Sequence, residues 1–307
     1  MNYKIYIIII TYNAMKWAER CFSSLRKSSV PVHAIAVDNG STDGTQDFIK
    51  NNYPEVEFIQ SEENLGFGKA NNLGIEKAYK QGAEFFYLMN QDAWIFENTV
   101  AELLQVYHQF PEKHSVGILS PVHIDGSGEK LDIFLEKYIA MNFEKTRLIS
   151  GLYFQSLKPW YDLSFINAAH WFLPKDTIEK VGGFNPYFFH YGEDNEYVNR
   201  LKFYRKKILL CTRSKAVHDG KQLLNKVDYT KYTDTSLDTQ ILDPNDAHSH
   251  RTELRELKKS IMKNIFTGNR NEARRLYQTL SRIRKKMPEL LRNKEILKNS
   301  QHAFLDI

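Results

Sequence analysis

His33-Ala34-Ile35-Ala36-Val37-Asp38-Asn39-Gly40-Ser41-Thr42-Asp43-Gly44-Thr45 decides the fold. A short apolar run ends at Asp38 in a cluster of turn and capping residues, and helical spacing follows over 45–52. That is a strand, a tight connection and a helix. The same unit recurs on either side. Ile5-Tyr6-Ile7-Ile8-Ile9-Ile10 is a β-branched run suited to a buried strand, and a helix is expected over 13–27 with Trp17, Cys21, Phe22 and Leu25 on one face. Val56-Glu57-Phe58-Ile59 precedes a helix from Ala70 to Gln81, and Phe85-Phe86-Tyr87-Leu88-Met89 ends at Asn90-Gln91-Asp92. Four alternations with short links predict an α/β fold, a mostly parallel central sheet with helices on both faces. Ligands bind such sheets at the carboxyl ends of the strands, so Asp38, the 64–68 loop and Asn90–Asp92 are expected to meet in one crevice.

At 307 residues, 42% hydrophobic and 26% charged, the chain suits one large domain with an extension, or two modest ones. Two cysteines exclude a disulfide framework and form no zinc-type pair, which points to a reduced, cytoplasmic setting. The longest apolar run falls far short of the ~20 residues of a bilayer span, and no cleavage pattern of a signal peptide follows it. The net charge of +5 is uneven: residues 251–300 hold 15 Lys/Arg against 5 Glu, leaving the body mildly acidic.

Beyond Asp92 the pattern loosens. Residues 120–165 show no clear period and read as loops and irregular strands. A strand is expected at 168–173, helices at 175–181 and 193–204, and a strand at 208–211. Residues 225–244 are polar and carry no assignment, and 251–266 and 271–286 read as basic amphipathic helices. The expected division is a catalytic domain over 1–224, with a donor half to about 95 and an acceptor half from 96, then a linker and basic helical extension over 225–307.

Several pieces occur in a telling order: Thr11-Tyr12-Asn13, then Asp38 to Thr45, then Asn64-Leu65-Gly66-Phe67-Gly68-Lys69-Ala70-Asn71-Asn72-Leu73-Gly74, then Asn90-Gln91-Asp92. Gly182-Gly183-Phe184-Asn185, Gly192-Glu193-Asp194 and Arg200 follow. Together they resemble the inverting family-2 glycosyltransferases, whose donor domain has the GT-A fold, and among them bacterial rhamnosyltransferase-like polysaccharide enzymes. The resemblance covers about residues 4–220. It implies transfer of a sugar from a nucleoside diphosphate carrier to an acceptor hydroxyl, in surface polysaccharide or glycan synthesis. It assigns donor contacts to Thr11, Tyr12, Asn13, Asp38, Asn39, Ser41, Asp43, Gly66, Lys69, Asn71, Asn90, Gln91 and Asp92. A carboxylate where Asp38 sits suits the N3–H of uracil or thymine, hence a UDP- or dTDP-linked donor, and Lys69 can approach the diphosphate.

Asn90-Gln91-Asp92 stands where the family has an Asp-x-Asp metal motif, with the first acid replaced. Asp92 and His218 are thereby implied ligands of Mg²⁺ or Mn²⁺. Asp194 is the implied base that takes the acceptor proton, with Glu193 as alternative or neighbour. One carboxylate suffices here, unlike glycoside hydrolysis. His170 and Trp171 are implied acceptor contacts. Glu196 and Arg200, one turn apart, read as a surface ion pair.

Two other classes compete. Gly66-x-Gly68 opening a helix fits the phosphate loop of a dinucleotide-dependent oxidoreductase. Asn71 replaces its third glycine, and the loop follows the third strand. Asn90 favours a weakened carbohydrate-binding protein of the same fold; the intact Asp92 and Asp194 argue against it. No nucleic-acid module is evident. In 271–286, Ala273, Leu276, Tyr277, Leu280 and Ile283 make one stripe, with Arg274, Arg275, Arg282, Arg284 and Lys285 largely elsewhere. Either this helix packs on the body with a solvated basic back, or that back rests on the anionic inner face of a membrane, near a saccharide or lipid-linked saccharide acceptor.

Overall fold

The computed structural model describes residues 3–220, 229–299 and 301–307. Strands β1 (Ile5–Thr11), β2 (His33–Asp38), β3 (Glu57–Gln60) and β4 (Phe85–Asn90) pair in parallel, in the order β3-β2-β1-β4. The crossovers are α1 (Met15–Leu25), α2 (Thr45–Asn52) and α3 (Phe67–Lys80). Because β1 is covered on both faces, alternate side chains feed two cores. Ile5, Ile7 and Ile9 pack with Cys21 and Phe22 of α1 and Ile49 of α2. Tyr6, Ile8 and Ile10 pack with Ala70, Ile75 and Ala78 of α3. Gly74 brings α3 close to the sheet: a Cβ there would lie 2.4 Å from Ile8 Cγ2.

The chain continues through β5 (Ala93–Ile95), α4 (Thr99–Gln109), a 3-10 turn and β6 (Val116–Ile124). Three short helices follow, α5 (Ile133–Met141), α6 (Phe143–Thr146) and α7 (Leu148–Tyr153). Then come β7 (Trp160–Leu163), β8 (His170–Pro174), α8 (Lys175–Val181), α9 (Glu193–Phe203) and β9 (Lys207–His218). The sheet runs on as β4-β8-β6-β9-β5, with β7 also on β9. Here β8 lies antiparallel to β4 and β6, and β5 and β7 antiparallel to β9. The parallel half is thus followed by a mixed half.

Two stretches differ from expectation. Residues 133–153 are helical, where loops and irregular strands were expected. Two of those helices are too short to show a period, and all three expose apolar side chains, which blurs the usual pattern. Strand β9 extends to His218 past polar Thr212–Ser214 because β6 resumes pairing at Lys215 after a register shift and β5 takes over beyond β7 along the other edge.

The C-terminal layer comprises α10 (Tyr229–Leu242), α11 (Ser249–Phe266) and α12 (Arg270–Asn299) around a third core that includes Leu257, Leu280 and Leu290. The expected boundary at 224/225 and the start of the linker lie outside the described residues. Helix α12 continues through Pro288 well past residue 286; burial of Leu290 and Leu297 overrides the proline's local penalty. Its stripe is buried at Ala273, Leu280 and Ile283 while Tyr277 is exposed. Residues 303–305 then return to the body. Gly183 N–H donates to Ala303 O at 2.9 Å, and Asn72 Nδ2 donates to Phe304 O at 3.2 Å. Among the described residues no helix is long and apolar enough to cross a membrane.

Candidate active site

The register aligns the carboxyl ends of the parallel strands: Thr11 lies beside Asp38, and Ile10 beside Asn90. Side chains then lace the loops together. Tyr12 N–H donates to Gln91 Oε1 at 2.7 Å, and Gln91 Nε2 returns a bond to Tyr12 O at 3.2 Å. Asn13 N–H donates to Ser41 Oγ, and Asn13 Oδ1 accepts Thr42 N–H, both at 2.9 Å. Asn39 bridges to the third loop, donating to Gly66 O and accepting Leu65 N–H. Asp43 accepts from the N–H groups of Met15 and Thr45 at 3.1 Å each, so one carboxylate serves the first turns of α1 and α2. Slight burial works against its charge, but the Thr45 and Met15 bonds prevail and lower its pKa.

Asp38 differs from its expected role. It has no exposed surface, and its carboxylate already accepts from Thr11 Oγ1, the N–H groups of Gly40 and Ser41, the Ser41 hydroxyl and Gln46 Nε2. In this conformation it organises the loop and offers nothing to a pyrimidine.

The glycines of the third loop serve protein contact. Gly66 has φ +80°, and a Cβ on it would lie 2.3 Å from Phe189 O; one on Gly68 would lie 3.0 Å from Phe184 Cβ. Phe67 N–H donates to Phe189 O. The 184–189 segment thus packs directly on both glycines, a protein contact in place of the phosphate loop of the oxidoreductase reading. Asn71 is buried and bonds back to Phe67 O. Asn72 clamps Phe184 through both its backbone N–H and its carbonyl. Lys69 is exposed on the first turn of α3.

At the end of β4, Asp92 and His218 come together through the β5–β9 pairing, with His218 Nε2 3.7 Å from Asp92 Oδ1. His218 Nδ1 lies 3.0 Å from Asp132 Oδ2, a buried carboxylate whose other oxygen caps α5 through Phe134 and Leu135 N–H. Burial disfavours the charged imidazole, but the Asp132 hydrogen bond and the charges of Asp92, Asp132 and Asp219 outweigh it and raise its pKa. Asp132 escaped the sequence reading; its only signal was its position as a helix cap before Ile133-Phe134-Leu135-Glu136. Asp219, which donates its N–H to Asp92 O, also accepts Trp17 Nε1–H at 2.8 Å and so ties α1 to the same corner.

The acid pair opens α9 after Gly192, at φ +100°. Ala168 N–H donates to Asp194 Oδ2 at 3.0 Å, while Asp194 Oδ1 is buried without a protein partner. The next residue, Ala169, accepts Asn90 N–H through its carbonyl, so the base candidate and the β4 loop share one segment. Burial, with the neighbouring Asp194 charge, raises the pKa of Glu193; burial likewise raises that of Asp194, against the Ala168 bond. Glu193 Oε2, Asn90 Oδ1 and Asn167 Oδ1 are also buried without partners.

Three nearby expectations are corrected. His170 is fully buried, held by Tyr87 OH and Val217 O. Trp171 is fully buried against Phe184 and Tyr197. Neither reaches a crevice, because β8 is an interior strand between β4 and β6. Glu196 and Arg200 form a buried pair rather than a surface one, with Arg200 also donating to the carbonyls of Val181 and Gly183 at 2.6 Å.

The loop between Asn185 and Gly192 is braced from the C-terminal layer. Tyr187 OH donates to Asp238 Oδ2 in α10, which Arg282 of α12 also holds. Phe188 belongs to the third core. Phe189 and Tyr191 face solvent.

Residues 6–155 match the sequence pattern described as Glycosyl transferase family 2. The match places these residues in glycosyltransferase family 2. A relative in Mycobacterium tuberculosis, named N-acetylglucosaminyl-diphospho-decaprenol L-rhamnosyltransferase, is 23% identical over 222 residues, 64% of this chain and 69% of that protein. The dTDP-rhamnosyl transferase RfbF of Shigella flexneri is 25% identical over 219 residues, 71% and 70% of the two chains. Solved structures share the fold. The mannosyltransferase PcManGT of Pyrobaculum calidifontis, in complex with GDP-Man and Mn²⁺, superposes at a TM-score of 0.53 and 14% identity over 96% of this chain and 86% of that one. S. aureus TarS superposes at 0.53 and 17% identity over 78% of this chain, which spans only 40% of TarS. The mixed α/β sheet is therefore that of a GT-A glycosyltransferase, here with a C-terminal helical layer.

Proposed function

We propose that this enzyme moves one sugar, with inversion, from a UDP- or dTDP-linked donor to a hydroxyl of a saccharide or lipid-linked saccharide, during surface polysaccharide assembly at the cytoplasmic face of the membrane. The observation that carries the reading is Asp194: one oxygen is fixed by Ala168 N–H, and the other is left without a partner beside the segment that holds Asn90. A carboxylate fixed by one oxygen and raised in pKa is prepared to accept a proton with the other. The acceptor oxygen loses its proton to Asp194 as it attacks the anomeric carbon, and the nucleoside diphosphate leaves from the opposite face. Glu193, buried beside it, orients the acceptor. The printed names of the two rhamnosyltransferase relatives support a dTDP-linked donor and a lipid-linked acceptor.

The corner at Asp92 and His218 fits a divalent cation. Asp132 takes the Nδ1 side of His218 and leaves Nε2 toward Asp92, an arrangement in which a carboxylate fixes the tautomer of a metal-binding imidazole. Asp92 and His218 would hold the ion, with diphosphate oxygens as further ligands. A bound Mg²⁺ or Mn²⁺ supplies positive charge against the leaving diphosphate. The Mn²⁺ in the PcManGT complex supports this assignment.

The test is a panel of nucleotide sugars with and without Mn²⁺, comparing the native enzyme with Asp194→Asn. Transfer that drops ~10²-fold or more while donor binding persists supports the reading. Native turnover in Asp194→Asn defeats it.

A further inference from the structure

We propose that the surface formed by α5–α7 is the one this enzyme lays against an anionic lipid bilayer. Among the described residues, seven of the seventeen large apolar side chains left exposed fall between Met141 and Leu157. Tyr153 and Phe154 are 79% and 72% exposed, and Phe143, Ile149 and Leu152 are each more than half exposed. Soluble surfaces scatter such residues; a cluster marks a contact. The helices that carry it are short, and aromatic and aliphatic side chains on them suit the depth of lipid headgroups.

Charge selects the occupant. From Met141 to Tyr161 the chain contains Lys145, Arg147 and Lys158 against a single acid, Glu144. Lys145 pairs with Asp162 just beyond, which leaves Arg147 and Lys158 exposed on the patch with Glu144 as its one acid, a net positive face. A second copy of the chain meeting this face two-fold would bring like charges together. Anionic headgroups complement both the cations and the apolar side chains.

Position supports the same occupant. Asp132 caps α5 with one oxygen and holds His218 with the other, so the patch begins one helix away from the proposed donor corner. A surface resting there keeps the site near hydroxyls carried at the membrane. Its use in catalysis rests on the lipid-linked acceptor proposed above; vesicle binding does not.

The experiment is sedimentation of the full chain with phosphatidylglycerol vesicles at low and high salt, for the native protein and for Phe143→Ser/Tyr153→Ser/Phe154→Ser. The triple variant is expected to partition at least ~10-fold less, with unchanged melting and donor hydrolysis. Native binding is expected to survive in part at salt that screens surface charge. Arg284→Glu/Lys285→Glu, on the basic back of α12, is the comparison and is expected to bind nearly as the native chain does. If the triple variant fails to fold, Tyr153→Ser alone is judged on the direction of the same change. The proposal is overturned if the native chain ignores anionic vesicles, if the patch variant binds them normally, or if the native chain is a dimer that the variant makes monomeric. Loss of vesicle binding with a native rate on a soluble acceptor leaves the transfer reading intact; absence of transfer with intact vesicle binding defeats only that reading.

Discussion

Tyr187 donates its hydroxyl to Asp238 Oδ2 at 2.7 Å, joining the loop that leads into Glu193 and Asp194 to the first helix of the C-terminal layer. Phe188, the next residue, is buried in that layer's core. The loop and the acid pair that follows it are therefore set partly by residues far down the chain.

Tyr187→Phe removes that bond while Asp238 keeps Arg282. A hydrogen bond to a charged group is worth ~1.5–3 kcal/mol, so the melting temperature should fall by several degrees. The turnover rate should fall with it, because the loop positions Asp194, while the donor KM stays near native. Steady-state kinetics of Tyr187→Phe separates the two parameters, and an unchanged turnover rate would remove the loop from the positioning of the base.

Gly66→Ala and Gly44→Ala test whether the third-loop glycine is there for space or only for its backbone angle. Both glycines have positive φ, +80° and +90°, but only Gly66 faces a neighbour; nothing lies within 4 Å of a Cβ on Gly44. Gly44→Ala should cost only the strain of an unfavourable φ, ~1 kcal/mol. Gly66→Ala adds a clash with Phe189 O and should cost distinctly more, and it should slow transfer. Chemical denaturation of the pair gives the difference directly.

Burial raises both carboxyls of the acid pair, so the acid limb of the rate profile should lie above the ~4 of an ordinary carboxylate. The same shift has a sign for stability. A carboxyl whose folded pKa is raised binds its proton more tightly in the folded state. Its destabilising effect is absent below the unfolded pKa and grows as pH rises through the folded one. Asp194→Asn should therefore melt higher than the native chain at neutral pH, with the gain vanishing toward pH ~4. Melting curves across pH check this; a variant less stable at neutral pH contradicts it.

Asp132→Asn keeps a cap oxygen for α5 but loses the charge that holds His218. Partners of this kind typically change metal affinity 10–100-fold, so the Mn²⁺ concentration for half-maximal activity should rise by about that much. Titration of Mn²⁺ in the presence of UDP reads the same effect without turnover. Asp92→Asn and removal of metal with EDTA should both abolish transfer.

The parallel half was legible because local signals agree with one another. The β-branched run of β1, the turn residues after Asp38 and the cap of α2 each constrain only their neighbours in sequence, and α2 spans residues 45–52, as the spacing indicates. The meeting of the strand-end loops followed from the same signals, since parallel crossovers bring strand ends to one edge. The role of each side chain there did not follow. Whether Asp38 meets a ligand depends on how many donors surround it, and four of its five contacts come from turn and helix residues that only the folded loop brings round.

What the sequence by itself determined is the class of fold and the order of the elements in its parallel half, because periodicity, capping and turn chemistry act within a few residues. The tertiary structure decided burial and partnership. It buried His170, Trp171 and the Glu196–Arg200 pair, filled the glycine loop with Phe189, and brought Asp132 to His218 across 86 residues. It also docked the basic layer onto the loop before Asp194. These depend on which surfaces meet at long range, and a sequence pattern carries no record of the distance between residues far apart along the chain.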